Sequence, residues 1–279
     1  VKSVLITGCS SGIGPAVAER MRAEGWRVLP TARKAADVEQ LRGRGFAEAL
    51  QLDVASSDSI RAALALAGGG IDALVNNAGY GQPGALEDLS REAMRQQFET
   101  NVFGLQELSN AVLPGMLARG GGRIVHISSV VGRVALPFLG IYSASKFAVE
   151  AMADAQRVEL RGTGVKLSLV EPGPVVTRFS KNAVRQTESD LRVRGSRFEA
   201  LYERELQARG GERGDKPFAL PPEAVARAVA HALTSKHPRR RYKVTLPAYL
   251  GALLSRAAPD AFLDFVLGIE LDKRLRKGE

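Results

Sequence analysis

The amino-acid sequence predicts an α/β fold: a doubly wound parallel sheet of about seven strands with helices on both faces. Two observations predict it. Short runs rich in Val, Ile and Leu recur along the 279 residues, and most are followed by a longer stretch with helical periodicity. Within the runs apolar residues stand side by side rather than alternating with polar ones, the pattern of strands buried on both faces. Right-handed crossovers between such strands wind the sheet doubly.

The elements follow in order. "SVLIT" (3–7) is the first strand, with a helix from about Gly12 to Glu24. "RVLPTA" (27–32) and a helix near 35–43 come next, although Pro30 lacks the N–H an interior strand needs and is expected where that strand ends or bulges. "EALQLD" (48–53) precedes a helix near 57–67, and "DALVNN" (72–77) leads to one long helix from about 90 to 118. "RIVHIS" (123–128) precedes a helix over about 143–161, and "KLSLVEP" (166–172) and "YKVTL" (242–246) complete the strands. The stretch over about 180–216 is polar and interrupts this rhythm as a lid-like insertion. Residues from about 247 to 279 form a helical extension that reads as two short amphipathic helices. No linker divides the chain, so residues 1–279 are expected to form a single domain.

Composition narrows the function classes. Charged residues make up 25% of the chain, an ordinary proportion for a soluble protein. The net charge is +9, concentrated late in patches such as "RRR" (239–241), but no basic stretch is interleaved with aromatics, so nucleic acid is not an expected partner. No zinc spacing occurs, and no metal is expected. No apolar run reaches the roughly 20 residues that span a bilayer, and the N-terminus opens into a strand-like run rather than a signal segment. The one cysteine, Cys9, cannot form an intrachain disulfide, and the expected location is the cytoplasm. The apolar and basic tail reads as packing on the core or on a subunit neighbour, with contact at a membrane surface as the alternative.

"TGCSSGIG" (7–14) joins the first strand to the first helix. Glycines at 8, 12 and 14 allow a tight turn and a close backbone approach, and the helix N-terminus adds positive potential, the requirements of a pyrophosphate site. "NNAG" (76–79) ends the fourth strand, Asp53 and Val54 the third, "ISS" (127–129) the fifth and "PGPVVT" (172–177) the sixth, and Tyr142-x-x-x-Lys146 opens a helix. Taken together and in this order, these motifs resemble the short-chain dehydrogenase/reductase family, a Rossmann-fold family, most strongly over Ser3 to Thr177.

The resemblance implies a site. Gly8, Ser10, Gly12, Ile13 and Gly14 would border the pyrophosphate and ribose of a nicotinamide dinucleotide. Asp53 and Val54 would meet the adenine, Asn77, Ala78 and Gly79 the adenosine ribose side, and Pro172, Gly173, Val175 and Thr177 the nicotinamide carboxamide. At the end of the second strand a carboxylate would repel a 2′-phosphate and an arginine would bind one. Ala32 stands at the expected acidic position and Arg33 follows it, with Ser10 or Ser11 able to add a hydroxyl, so NADP(H) is expected over NAD(H).

Hydride transfer at a carbinol carbon also requires a proton to move at its oxygen. Free tyrosine is too weak a base near neutrality, and an ammonium one helical turn away favours its phenolate. In the family the pair works this way, which would make Tyr142 the general acid/base and Lys146 the group that tunes it and binds the nicotinamide ribose. By the same resemblance Ser129 would hydrogen-bond the substrate oxygen, in preference to Ser128, and Asn101 would position a water that relays protons through Lys146. His126 and Trp26 read as packing residues. "VVGRVALPFLGIY", around Val134 to Leu139, and Phe179 read as apolar walls for the substrate or as packing for the lid. The expected activity interconverts an alcohol and a ketone or aldehyde on a largely apolar substrate, a steroid, retinoid or long-chain carbonyl. A 3-oxoacyl-carrier-protein reductase and a non-catalytic NADP-binding protein are the alternatives. Family members commonly form dimers or tetramers, so a homodimer or homotetramer is expected.

Overall fold

The computed structural model describes residues 1–68, 70–177, 193–209 and 218–276. Among these, seven strands form one parallel sheet in the order β3-β2-β1-β4-β5-β6-β7. They are β1 (Ser3–Ile6), β2 (Arg27–Ala32), β3 (Leu50–Gln51), β4 (Ala73–Asn76), β5 (Gly122–Ile127), β6 (Val165–Glu171) and β7 (Arg241–Lys243). The chain steps outward from β1 through β2 to β3, then crosses back to β4, so the order reverses between β1 and β4. Ligands of such sheets bind outside the carboxyl ends of the strands at that reversal.

The helices are α1 (Ile13–Ala23), α2 (Ala35–Gly43), α3 (Ser57–Ala67), α4 (Arg91–Phe98), α5 (Gly104–Ala118), α6 (Gly140–Glu159), α7 (Glu199–Arg209), α8 (Pro222–Thr234), α9 (Leu246–Ala257) and α10 (Asp260–Arg276). Strand alternation sends side chains to two cores. Val4, Ile6, Val75, Val125 and Val170 pack against α1 and α8, while Leu5, Leu74, Ile124 and Leu169 pack against α3, α5 and α6. Both faces are buried, which is why the strands read as continuous apolar runs. Side-chain oxygens of Ser56, Ser90 and Thr245 accept from backbone N–H groups in the first turns of α3, α4 and α9, fixing where these helices start.

Two expectations are corrected. Pro30 lies inside β2, opposite Ile6 of β1, and neither ends nor bulges the strand. The Thr31 carbonyl faces β1, accepting from Cys9 N at 2.7 Å, and the Ala32 carbonyl faces β3, accepting from Leu52 N at 3.0 Å. Residue 30 therefore turns toward β3, whose ladder with β2 begins only at Thr31. The missing N–H falls where no strand partner is required. Second, the long helix over 90–118 is broken. A π turn over Glu99–Phe103 separates α4 from α5, a wider hydrogen-bond register that an apolar pattern does not reveal.

The insertion over about 180–216 lies largely outside the described residues, as does Phe179. Its described portion is pinned to the body. The Tyr202 hydroxyl donates to Asp88 Oδ2 at 2.6 Å and accepts from Ala85 N at 2.8 Å, and Arg197 pairs with Glu87. Phe138, Leu201 and Tyr202 form a small apolar cluster that Phe198 and Leu271 of α10 also join. The tail does form two helices, α9 and α10. No helix among the described residues is long and apolar enough to cross a membrane.

Candidate active site

The glycine loop after β1 is shaped for close approach. Gly8 and Gly12 both have φ of +71°, a region L side chains rarely adopt. A Cβ on Gly14 would stand 2.4 Å from the Gly8 carbonyl oxygen, and one on Gly12 would stand 3.1 Å from Thr177 Cγ2. The loop thus folds tightly over the start of α1 and abuts the segment that follows β6. Ser10 and Arg33 are exposed at this edge, and the Arg33 carbonyl accepts from Gln51 Nε2 at 3.0 Å.

Asn77 ties β4 to this loop. Its Nδ2 donates to the carbonyls of Thr7 and Gly8 at 2.9 and 3.0 Å, and Thr7 Oγ1 accepts from the backbone N–H groups of Asn77 and Ala78, each at 2.9 Å. The Asn77 side chain therefore holds the loop. Asp53 closes its own turn by accepting from Ala55 N at 3.0 Å, and Val54 is buried beside Gly104, where a Cβ would strike its carbonyl. After β6 the Pro172 carbonyl accepts from Val130 N at 2.9 Å, Gly173 packs against Thr245, and Val175 bridges to Leu220. Close contacts at glycines and exposed polar groups along one edge fit a dinucleotide.

The four candidate catalytic residues converge at the carboxyl ends of β4, β5 and β6. Ser129 follows β5 in extended conformation, and its Oγ accepts from Val131 N at 3.3 Å. Tyr142 and Lys146 stand one turn apart near the start of α6, which begins at Gly140, three residues earlier than the sequence suggests. Lys146 Nζ donates to the Ile127 carbonyl at 2.8 Å and lies 5.9 Å from the centre of the Tyr142 ring. Asn101 sits in the π turn, fully buried. Its Oδ1 accepts from Tyr80 N at 3.1 Å, and its Nδ2 donates to the Tyr80 carbonyl at 2.9 Å and to Ser145 Oγ at 3.1 Å. A Cβ on Gly79 would stand 3.0 Å from Asn101 Oδ1 and 3.9 Å from Lys146 Nζ, so glycine at 79 leaves these two groups facing one space.

Burial sets the protonation of the pair. It pushes the Tyr142 phenol up to about 12, opposed by a hydrogen bond with Ser129. It pulls the Lys146 ammonium down to about 8. Burial is the larger of the two influences on the phenol, which rests protonated. His126 is buried and forced down to about 3, first by burial and then by the charge of Lys146. Its Nδ1 lies 3.1 Å from Asn76 Nδ2, so the ring is the packing residue the sequence suggests.

Sequence reasoning missed the support around these groups. Ser145 donates to the Tyr142 carbonyl at 2.7 Å while accepting from Asn101, and so couples α6 to the π turn. Gln97 donates to the Tyr80 carbonyl at 2.9 Å. Ser145 stands within "YSASK" (142–146), and its place three residues after Tyr142 is the available signal. Phe138, with φ of +61°, is a left-handed non-glycine residue at the expected apolar wall. Its ring meets Phe198 edge-on at 5.0 Å, so at this position the wall and the packing of the insertion coincide.

A family model described as short chain dehydrogenase matches residues 2–188. The chain is 44% identical over 270 residues to "uncharacterized oxidoreductase YbbO" of Escherichia coli K12, covering 95% of this chain and 94% of that one. It is 38% identical to human retinol dehydrogenase 8 (88% and 82% covered) and 35% identical to rat 17-beta-hydroxysteroid dehydrogenase type 6 (98% and 89%). Among solved structures, a short chain dehydrogenase/reductase of Burkholderia phymatum in complex with NAD matches at a TM-score of 0.73 and 29% identity, covering 96% of this chain and 95% of that one. A short chain dehydrogenase of Burkholderia cenocepacia J2315 in complex with NADP matches at 0.74 and 25% identity, covering 95% and 97%.

Proposed function

The chain belongs to the short-chain dehydrogenase/reductase family, whose members are oxidoreductases that use a nicotinamide cofactor, and from that premise we propose that it is an NADP(H)-dependent enzyme interconverting an apolar alcohol with its ketone or aldehyde. The observation that carries the reading is the convergence of Ser129, Tyr142, Lys146 and Asn101 beside the glycine loop.

The bound nicotinamide supplies or accepts the hydride. The chain's own residues manage binding and the proton. Gly8, Ser10, Ser11, Gly12, Ile13 and Gly14 hold the pyrophosphate, Arg33 the 2′-phosphate, Asp53 and Val54 the adenine, and Asn77, Ala78 and Gly79 the ribose side. Pro172, Gly173, Val175 and Thr177 hold the carboxamide. Ser129 donates to the substrate oxygen. Tyr142, protonated in its buried setting, would deliver the proton to the substrate oxygen during reduction and be left a phenolate; in oxidation the phenolate would accept the proton of the alcohol. Lys146 would bind the nicotinamide ribose and pass a proton from the relay to the phenolate after reduction, or accept one from the phenol after oxidation. Asn101 acts by position: with its amide engaged by Tyr80 and Ser145, it fixes the π turn against α6 and keeps the space beside Gly79 for the relay of protons to Lys146.

An apolar substrate is supported by the cluster of Phe138, Phe198, Leu201 and Tyr202, and by two relatives named for retinol and hydroxysteroid chemistry. The docked end of the insertion supports its action as a lid over that wall. Exposed Phe103, Phe147 and Val158, in the π turn and on α6, support assembly as a homodimer or homotetramer. The lone buried Cys9 is in keeping with a cytoplasmic enzyme.

The test is NADPH consumption across a panel of retinoid, steroid and long-chain carbonyls, with Tyr142→Phe as control. Tyr142→Phe abolishes turnover and leaves cofactor affinity intact; retained kcat refutes the assignment. Arg33→Ala lowers the preference for NADPH over NADH about ten- to a hundredfold, the worth of a charge-assisted phosphate contact. Equal kcat/KM for the two cofactors in the unsubstituted enzyme refutes the NADP reading.

A further inference from the structure

The C-terminal helices expose the kind of surface that helices ordinarily bury. On α9, Leu246, Tyr249, Leu250, Leu253 and Leu254 are all exposed, at spacing i, i+3, i+4, i+7, i+8. Ala248 and Ala252, on the opposite side, face the protein. On α10, Phe262, Phe265, Val266 and Ile269 repeat the pattern at i, i+3, i+4, i+7, while Leu271 packs toward Phe138. Each helix thus has two apolar sides, one on the protein and one without a partner among the described residues. Single exposed hydrophobics are common, but two consecutive helical stripes are not.

Beside the α9 stripe lies a cavity of about 180 Å³ lined by Arg133, Arg239, Arg241, Lys243, Tyr249 and Ala252. Two of its cations are neutralised from below. Arg133 bonds Glu150 and Glu171, and Arg241 bonds Glu150, Glu171 and Asp154. Arg239 and Lys243 have no carboxylate partner among the described residues, and Arg240 adds another exposed cation alongside. Tyr249 belongs both to the apolar stripe and to the cavity wall, with Lys243 Nζ 5.5 Å from its ring centre. An apolar stripe bordered by unpaired cations, with a tyrosine at the boundary, matches the layered chemistry of an anionic bilayer surface: acyl chains, then glycerol, then phosphate.

We propose that α9 and α10 dock on the surface of an anionic phospholipid bilayer, the α9 stripe entering the acyl boundary and Arg239 and Lys243 taking a headgroup phosphate. A second copy of this chain is the competing occupant. It is disfavoured at α9, because a two-fold contact there would bring two sets of unpaired cations together. The proposal concerns the surface and holds whichever carbonyl the enzyme reduces.

The experiment is flotation of the full chain with vesicles of equal parts phosphatidylglycerol and phosphatidylcholine, against vesicles of phosphatidylcholine alone. Light scattering in lipid-free buffer gives the oligomer mass. The protein floats with the anionic vesicles and partitions at least about tenfold less to the neutral ones. Leu250→Glu with Leu253→Glu lowers partitioning about a hundredfold or more and leaves both the mass and NADPH affinity unchanged. Arg239→Glu with Lys243→Glu lowers it about thirtyfold or more, at roughly a fivefold loss per removed charge. Failure of the unsubstituted protein to bind anionic vesicles overturns the proposal, as does unchanged binding in either variant. A fall in oligomer mass in the leucine variant overturns it in favour of a second copy.

Discussion

Raising the pH from 7 to 9 discharges Lys146, and the consequence for catalysis can be sized. Burial holds its ammonium at about 8 and holds the Tyr142 phenol up at about 12. Lys146 therefore goes from about nine-tenths protonated at pH 7 to about one-tenth at pH 9, while Tyr142 keeps its proton throughout. If the ammonium binds the cofactor ribose and supports proton delivery, kcat/KM for NADPH falls about tenfold between pH 7 and 9, and about tenfold for each unit above. This constant is the right one to measure, because it reports groups of the cofactor-free protein. Lys146→Arg stays charged at every pH, so its profile is flat across the window, at whatever level of activity remains. The same titration appears in stability. The folded value lies below the unfolded 10.5, so the unfolded chain holds the extra proton between about 8 and 10.5. Stability rises with pH across that window, by at most about 3 kcal/mol, and is level below it. Lys146→Met lacks that rise. A flat activity profile to pH 9.5, or a break near 8 that persists in Lys146→Arg, refutes the reasoning.

Further expectations concern the frame around the site. Gly14→Ala forces a Cβ to 2.4 Å from the Gly8 carbonyl; loop displacement should cost about 1–3 kcal/mol and weaken NADPH binding at least about tenfold, as a fluorescence titration would read. Ser145→Ala removes the link between the Tyr142 carbonyl and Asn101, and a thermal shift of about 2–5 °C downward is expected, with no shift counting against the link. His126, held neutral by burial at about 3, gives up stability as the pH falls below the unfolded value of 6.5. The loss is about 2 kcal/mol by pH 5, or about 3 °C in Tm for a chain of this size, and His126→Gln should not show it. Parallel Tm curves for the two proteins between pH 7.5 and 5 would contradict that account.

The strands and the glycine edge were legible because their signals are local. An apolar run such as "RIVHIS" fixes a strand, and glycines at 8, 12 and 14 stand where a backbone must turn or be approached. What the sequence hid depends on contacts distant along the chain. Ser145 looks like any helical serine until Asn101, 44 positions away, is found against it. Pro30 looked disruptive because the late start of β3 cannot be read from β2. The spacing of Tyr142 and Lys146 reveals their proximity but not the burial that raises the phenol and lowers the ammonium. Nothing in the sequence marks Glu150 and Glu171, yet they are buried against Arg133 and Arg241.

The π turn over Glu99–Phe103 has a consequence for how this segment tolerates change. Each residue advances an α-helix by about 100°, and a π turn accommodates one residue beyond that regular count. Deleting a single residue there would restore a regular helix with α4 and α5 in their present phase, so Ala93 and Gln97 would stay on the core. What would be lost is the wide turn itself, and with it the bearing of Asn101 on Tyr80 and Ser145. Substitutions on the exposed side of α4 leave the turn untouched. A one-residue deletion removes it, so here the number of residues is as much a part of the site as their identity.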